Sequence, residues 1–262
     1  MSFYPERIVC LTEETTELLY LLGQQDKIVG ISGFTKRPEI ARKEKPIVSS
    51  FVDAKIEKII SLKPDLVVGF SDIQSGIAKQ LIQKGVNVWI NNQRTIAQIK
   101  SFIVQMGTLV GAHKESIALI KKFESKVSRV KKIVEKWPKK PRVYFEEWDD
   151  PIITGISWVS EIITLAGGED IFKPLAKQSL AKNRIIADAN TILNQDPDII
   201  LVSWCGKKFV KNKLTSRSGW KDMRAVKDDK IFEIKSDIIL QPGPACLFDG
   251  LEILHELFAK YK

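Results

Sequence analysis

The sequence predicts an α/β protein of two lobes, each built on a parallel sheet, joined by one long helix. Three observations carry this expectation. Short apolar strand segments alternate with helical segments through residues 7–90. Residues 113–136 then hold neither Gly nor Pro and keep apolar side chains at helical spacing. After Pro141 the strand–helix alternation starts again. Units of this length place helices on the faces of a sheet, which requires parallel strands.

Residues 7–11 (RIVCL) read as the first strand, and residues 12–22 follow as a helix with Thr12 as N-cap and Gly23 as stop. Residues 27–31 (KIVGI) form a second strand. Residues 55–62 are helical and end at Lys63-Pro64. Residues 65–69 (DLVVG) are a continuous apolar run, as a strand covered on both faces requires. A helix over 76–84, a strand over 87–90 and a helix over 95–109 complete the first half. In the long helix, Ile117, Ile120, Phe123, Val127, Val130 and Ile133 recur at helical spacing. It spans about 35 Å at 1.5 Å per residue, and Trp137-Pro138 ends it. In the second half, residues 142–146 (RVYFE), 198–203 (DIILVS) and 230–234 (KIFEI) read as strands. Residues 158–166 form a helix stopped by Gly167-Gly168, and 249–259 form the closing helix. The joint is not rich in Gly, Ser or Pro, so it is semi-rigid. The expected division is an N-terminal lobe over 1–112, a spine helix over 113–139 and a C-terminal lobe over 140–262. SLKPDLVV at 61–68 resembles LNQDPDII at 193–200. Each is a helix end, a Pro-Asp turn and a buried strand, which points to the same step in two related lobes.

Composition excludes several classes. Apolar residues make up 44% and charged residues 28%, the balance of a soluble globular chain. No apolar stretch of about 18 residues occurs, so membrane insertion is not expected. Net charge is +9, but the lysines concentrate in 114–140 on the spine helix, and no nucleic-acid-binding motif accompanies them. Nucleic acid is therefore not an expected partner. Cys10, Cys205 and Cys246 lack CxxC spacing, which argues against disulfides or structural zinc. His113 and His255 fall in helices away from strand ends, so no bare-metal site is expected. No phosphate-binding glycine motif follows a strand. Residues 1–7 (MSFYPER) lack the basic and apolar segments of an export signal. The chain as written is expected to be cytoplasmic, and periplasmic only if this start is processed or replaced.

In open α/β sheets, ligands gather outside the C-terminal ends of the strands. That rule selects Phe34, Phe51, Phe70, Trp148, Trp204, Cys205, Lys207 and Gln241 as candidate ligand contacts. Aromatic faces suit a large flat macrocycle, although each of these rings could equally serve the core. Glu146-Glu147-Trp148-Asp149-Asp150 offers cleft lining, a solvated acidic loop or acid–base groups. Adjacent strand residues face opposite ways, so its carboxylates do not converge. In Trp204-Cys205-Gly206-Lys207-Lys208, Gly206 permits a sharp turn. Lys207 is placed to hold an anionic group and to lower the Cys205 pKa. No histidine can be assigned as a base, and neither a catalytic residue nor a metal ligand is named.

Residues 7–23 (RIVCLTEETTELLYLLG), 56–70 (IEKIISLKPDLVVGF), 85–90 (GVNVWI), 158–172 (WVSEIITLAGGEDIF) and 197–203 (PDIILVS) flank the long helix in a specific order. Together they resemble the cobalamin and iron–siderophore solute-binding proteins of ABC importers, over nearly the whole chain. Ser-Trp-Cys-Gly-Lys-Lys at 203–208 and Leu-Gln-Pro-Gly-Pro at 240–244 are similar to a branch described as cobalamin-binding. The resemblance implies two Rossmann-like lobes with a ligand cleft between them, small hinge motion, and Phe51 and Phe70 among the cleft aromatics. It implies a binding protein rather than an enzyme, holding a corrinoid as ligand and not as covalent cofactor. An iron–siderophore complex is the alternative ligand, for which Lys207, Lys208, Arg184 and Arg94 offer positive charge. An intracellular corrinoid-handling enzyme using Cys205 is the alternative function. Importer-docking members carry an exposed glutamate on each lobe that pairs with permease arginines. Residues 71–76 contain no glutamate and the second lobe offers only Asp188, so poor docking to an ABC permease is expected.

Overall fold

The computed structural model describes residues 3–262. Met1 and Ser2, which begin the MSFYPER segment, lie outside the described residues. The chain divides into two compact units, Met1–Gln93 with Ala97–Lys122, and Arg94–Ile96 with Phe123–Lys262. The boundary passes through the spine helix, which runs unbroken over His113–Val134. Its buried stripe is Ser116, Ile120, Phe123, Val130 and Val134, whereas Ile133 is exposed. The apolar seam thus leaves the expected row at the last turn, where Val134 replaces Ile133.

The first unit holds five parallel strands, β1 (Ile8–Cys10), β2 (Ile28–Ser32), β3 (Ile47–Ser49), β4 (Leu66–Phe70) and β5 (Val88–Asn91), ordered β3-β2-β1-β4-β5. β1 and β4 are buried at every position, which is why their sequences are apolar throughout. The chain winds outward from β1 to β3, then returns to β4 on the other side of β1. This reversal makes β1 and β4 the topological switch point, where ligands of such sheets collect. β3 was not expected: three residues are too few to show a period.

The second unit holds β6 (Arg142–Asp149), β7 (Ile152–Thr154), β8 (Glu169–Asp170), β9 (Ile199–Val202) and β10 (Ile231–Glu233), in the order β10-β9-β6-β7 with β8 also on β6. β8, β9 and β10 run parallel to their neighbours, but β7 is antiparallel to β6. This corrects the purely parallel expectation for the lobe. The Asp150-Pro151 turn sends the chain straight back, and the partner it supplies lengthens β6 to eight residues. Glu146–Asp149 therefore belong to a strand.

The repeated segments do perform the same step. Lys63 and Asp196 both take positive φ, 47° and 39°, immediately before a proline. The next residue then ties the first strand of its own lobe. Asp65 accepts from the backbone N–H groups of Glu6 and Arg7 at 2.7 and 3.1 Å. Asp198 accepts from Arg142 N–H at 2.9 Å. In turn Arg7 donates to the Leu62 carbonyl, and Arg142 to the Gln195 carbonyl, at the ends of the preceding helices. One arginine–aspartate staple is used once in each lobe.

Gly167 closes the helix Ser157–Ala166 in the left-handed region at φ 104°. A Cβ there would lie 2.4 Å from the Trp137 ring, which itself stacks on His255. Gly167→Ala thus meets both a conformational penalty and a clash. It is expected to lower stability by about 2–4 kcal/mol in urea unfolding. A loss of only about 1–2 kcal/mol, the conformational cost alone, would show that the Trp137 ring gives way freely.

Candidate functional site

The first-lobe edge is built where β1 and β4 end. The helix Glu13–Leu21 starts directly after β1, and its opening residues Thr12–Glu17 are all buried although every one is polar. Lys36 N–H donates to Glu13 at 2.9 Å, and Arg37 pairs with Glu17 at 2.9 Å. Glu14 receives the Thr12 hydroxyl at 2.6 Å, and among the described residues its second oxygen has no hydrogen-bond partner. Burial drives the Glu14 pKa up to about 7, against the lowering effect of the Thr12 bond. Sequence reasoning passed over this stretch, because acidic residues in a first helical turn are ordinary helix-dipole partners. The available signal was its position at the end of a central strand.

Around it stand three of the predicted contacts. Phe34 follows β2 and is 48% exposed. Phe51 follows β3 and is half-buried, with its carbonyl accepting from Gln74 at 3.0 Å. Gln74 also bonds the Leu11 carbonyl and the Phe70 N–H, tying the ends of β1, β3 and β4 together. Phe70 itself is 6% exposed, so the structure corrects the expectation that it presents a face to a ligand. As the last residue of a central strand it belongs to a sheet covered on both sides. Ser71 follows with φ 62° and ψ 179°, a rarely occupied conformation for a residue with a side chain, at the switch point.

In the second lobe the hub is Glu146. Its carboxylate is buried and accepts the Trp204 indole N–H at 2.9 Å, the Tyr144 hydroxyl at 2.9 Å and both terminal nitrogens of Arg217 at 2.5 and 2.9 Å. Trp204 is therefore core, packed with Tyr144, Trp220 and Leu214, and not a pocket wall. The strand turns its side chain back under the sheet, where the indole N–H finds an anion. Asp149 is equally sealed and pairs with Lys207 and with Lys213. Its burial favours the neutral acid, but the two ammonium groups outweigh that and hold its pKa below the usual carboxylate range. Glu147 pairs with the buried Arg184 at 2.7 Å. Glu146, Glu147 and Asp149 are thus paired structural carboxylates, while Asp150 beside them is exposed, so the stretch does not present a converging acid–base set.

The Lys207 ammonium lies 3.9 Å from the centroid of the half-exposed Trp148 ring. It is held over that ring rather than free to seek an anion, and Trp148 donates its own N–H to the Asp150 carbonyl at 2.8 Å. Cys205 is an exposed residue, yet desolvation of its thiol and then the Glu147 carboxylate push its pKa above the ordinary value. This reverses the expected activation by Lys207, whose charge is spent on Asp149. Cys10 is fully buried, and burial takes its pKa to about 12. Gln241 is half-buried at the head of the segment leading to the last helix.

Two concavities of about 610 and 600 Å³ adjoin these edges, one beside Ser71 and the other beside Asp149 and Arg217. The first sits against Ser71, Ala78, Ile82 and Ile90, the second against Pro151, Ile152, Ile185 and Trp220. None of the eight candidate ligand contacts lines either, but Asp149 and Asp150 of the acidic stretch line the second. Among the described residues no group of three or more His, Cys, Asp or Glu side chains is arranged to hold a metal ion. No helix among them is long and apolar enough to cross a membrane.

Comparison with known proteins accounts for this architecture. An ABC transporter substrate-binding lipoprotein of Bacillus subtilis, YvrC, is 28% identical over 96% of this chain and 79% of its own. A vitamin B12-binding protein of Vibrio parahaemolyticus is 24% identical over 95% of this chain and 88% of its own. Staphylococcus aureus IsdE, solved with heme, superposes with a TM-score of 0.81 at 21% identity, covering 98% of this chain and 99% of that one. The sequence model of the periplasmic binding protein family matches residues 8–238, and the chain belongs to that family.

Proposed function

We propose that this substrate-binding protein captures a corrinoid at the strand ends just described and does not alter it chemically. The carrying observation is the kind of group these edges expose. Phe34, Phe51 and the Trp148 ring remain at least partly accessible, while Arg184, Lys207 and Lys213 of the second lobe are already paired with carboxylates. Such edges offer apolar and aromatic area to a large, flat, weakly charged ligand. A ferric siderophore, usually anionic, is less well served, because Lys207 and Arg184 are committed to Asp149 and Glu147. The similarity to vitamin B12-binding proteins supports the same ligand class. The enzymatic alternative loses its support in the raised Cys205 pKa, since the thiolate is the reactive form.

Titration with cyanocobalamin, hemin and a ferric siderophore, followed by visible absorption, tests the assignment. Saturable binding of cyanocobalamin is the expected result, and tight binding of hemin or the siderophore with none of the corrinoid would refute it. Trp148→Ala is expected to weaken cyanocobalamin by roughly 5–150-fold, the equivalent of about 1–3 kcal/mol of buried aromatic area. Unchanged affinity in that variant would remove Trp148 from the ligand surface.

A further inference from the structure

The last helix begins abnormally. Cys246–Gly250 form a π turn that leads into the regular helix Leu251–Phe258. A π turn bonds i to i+5 and holds one residue more than α geometry would, and such turns are frequent at functional sites. Two helical residues, Pro244 and Ala245, precede it, and before them runs Gln241-Pro242-Gly243, so that two prolines stiffen the approach. Lys126 of the spine helix reaches into this turn. Its side chain is only 18% exposed, and its ammonium donates to the Phe248 carbonyl at 3.0 Å and pairs with Glu252 at 2.6 Å. Phe123, one turn earlier on the spine, packs edge-on against Phe248 with ring centroids 5.8 Å apart.

Register matters here. Returning the turn to α geometry would take up its extra residue. Everything before it would then rotate by about 100° and shift by about 1.5 Å along the axis. Because the Pro-Gly-Pro stretch is stiff, Gln241 would move with it. A cation on a carbonyl inside the turn favours the geometry in which that carbonyl stays accessible. We infer that Lys126 is a positioning residue: it selects the π register at Cys246–Gly250 and so fixes the position of Gln241, one of the residues expected to meet the ligand.

The affinity part of this inference rests on the corrinoid reading, whereas the register part does not, so two readouts are needed. Hydrogen exchange of the amides in 241–250 reports the turn, and cyanocobalamin titration reports the ligand. In Lys126→Met, exchange in that segment is expected to speed up about tenfold while the other second-lobe strands keep their protection. Cyanocobalamin affinity is expected to fall about tenfold. Lys126→Arg retains a cation and is expected to restore both. Wild-type exchange in Lys126→Met would overturn the inference, as would faster exchange with full affinity. If the wild-type protein fails to bind cyanocobalamin, the corrinoid reading fails, and exchange alone decides the register claim. Glu252→Gln removes the ion pair and leaves the carbonyl bond, which guards against a folding defect in the Met variant. It is expected to exchange like wild type, and rapid exchange there would assign the effect to the ion pair and overturn the role of the carbonyl bond.

Discussion

Glu146→Ala is expected to destabilise the second lobe by about 3–5 kcal/mol, because it leaves a largely buried guanidinium without its counter-ion. Arg217 keeps only 17% of its side chain exposed, and Glu146 none. The same substitution orphans the Trp204 indole N–H and the Tyr144 hydroxyl, both inside the core. The Glu146 charge, after burial, also pushes the Tyr144 pKa well above its usual value, so that phenol stays neutral and able to donate. At a few degrees per kcal/mol, melting should fall by roughly 8–15 °C. Five of the six tryptophans, Trp137, Trp148, Trp158, Trp204 and Trp220, lie in the second unit, so tryptophan fluorescence reports this lobe selectively. The double variant Glu146→Leu with Arg217→Met removes both charges, and should recover much of the loss, since an apolar replacement of a buried pair is often neutral. A loss below about 1 kcal/mol in Glu146→Ala would show that water reaches Arg217 and solvates it.

This network also marks the limit of what the sequence disclosed. Glu146 lies 58 residues from Trp204 and 71 from Arg217. Nothing local in either segment announces the pairing, so the acidic stretch could only be weighed as lining, loop or acid–base groups. The strand-end rule named residues at one edge of each sheet, yet it could not say on which side a side chain leaves the strand. Phe34, Phe51 and Trp148 stayed accessible while Phe70 and Trp204 turned into the core. By contrast, β1, β4 and β9 were legible because burial on both faces forces an uninterrupted apolar composition. The Pro-Asp steps were legible for a similar reason. A left-handed residue, a proline and a capping aspartate are local requirements that leave local signatures. β3, β7 and β8, of two or three residues each, leave none, and it was β7 that changed the sheet from parallel to mixed.

The buried glutamate of the first lobe should make stability fall as pH rises through neutrality. Glu14 has an ordinary pKa of 4.5 when unfolded and about 7 in the fold, because burial disfavours its charged form. Between those values the folded chain holds a proton that the unfolded chain has released. Raising the pH through this window therefore favours unfolding, at about 1.4 kcal/mol per unit. The contribution is complete below pH 4.5 and lost above pH 7, about 3 kcal/mol in all. Other groups act in the opposite sense: Asp149, Asp196, Asp198 and Glu252, with lowered pKa values, lose their contribution as the pH falls. The two effects separate in a comparison with Glu14→Gln, whose neutral amide imitates the protonated acid and retains an acceptor for the Thr12 hydroxyl. Near pH 4.5 the variant and the wild type should unfold at the same urea concentration. By pH 8 the variant should be the more stable by about 2–3 kcal/mol, with the difference growing steadily across the interval. A constant difference at every pH would mean that Glu14 is ionised in the fold and that the opening turn of the first helix admits water.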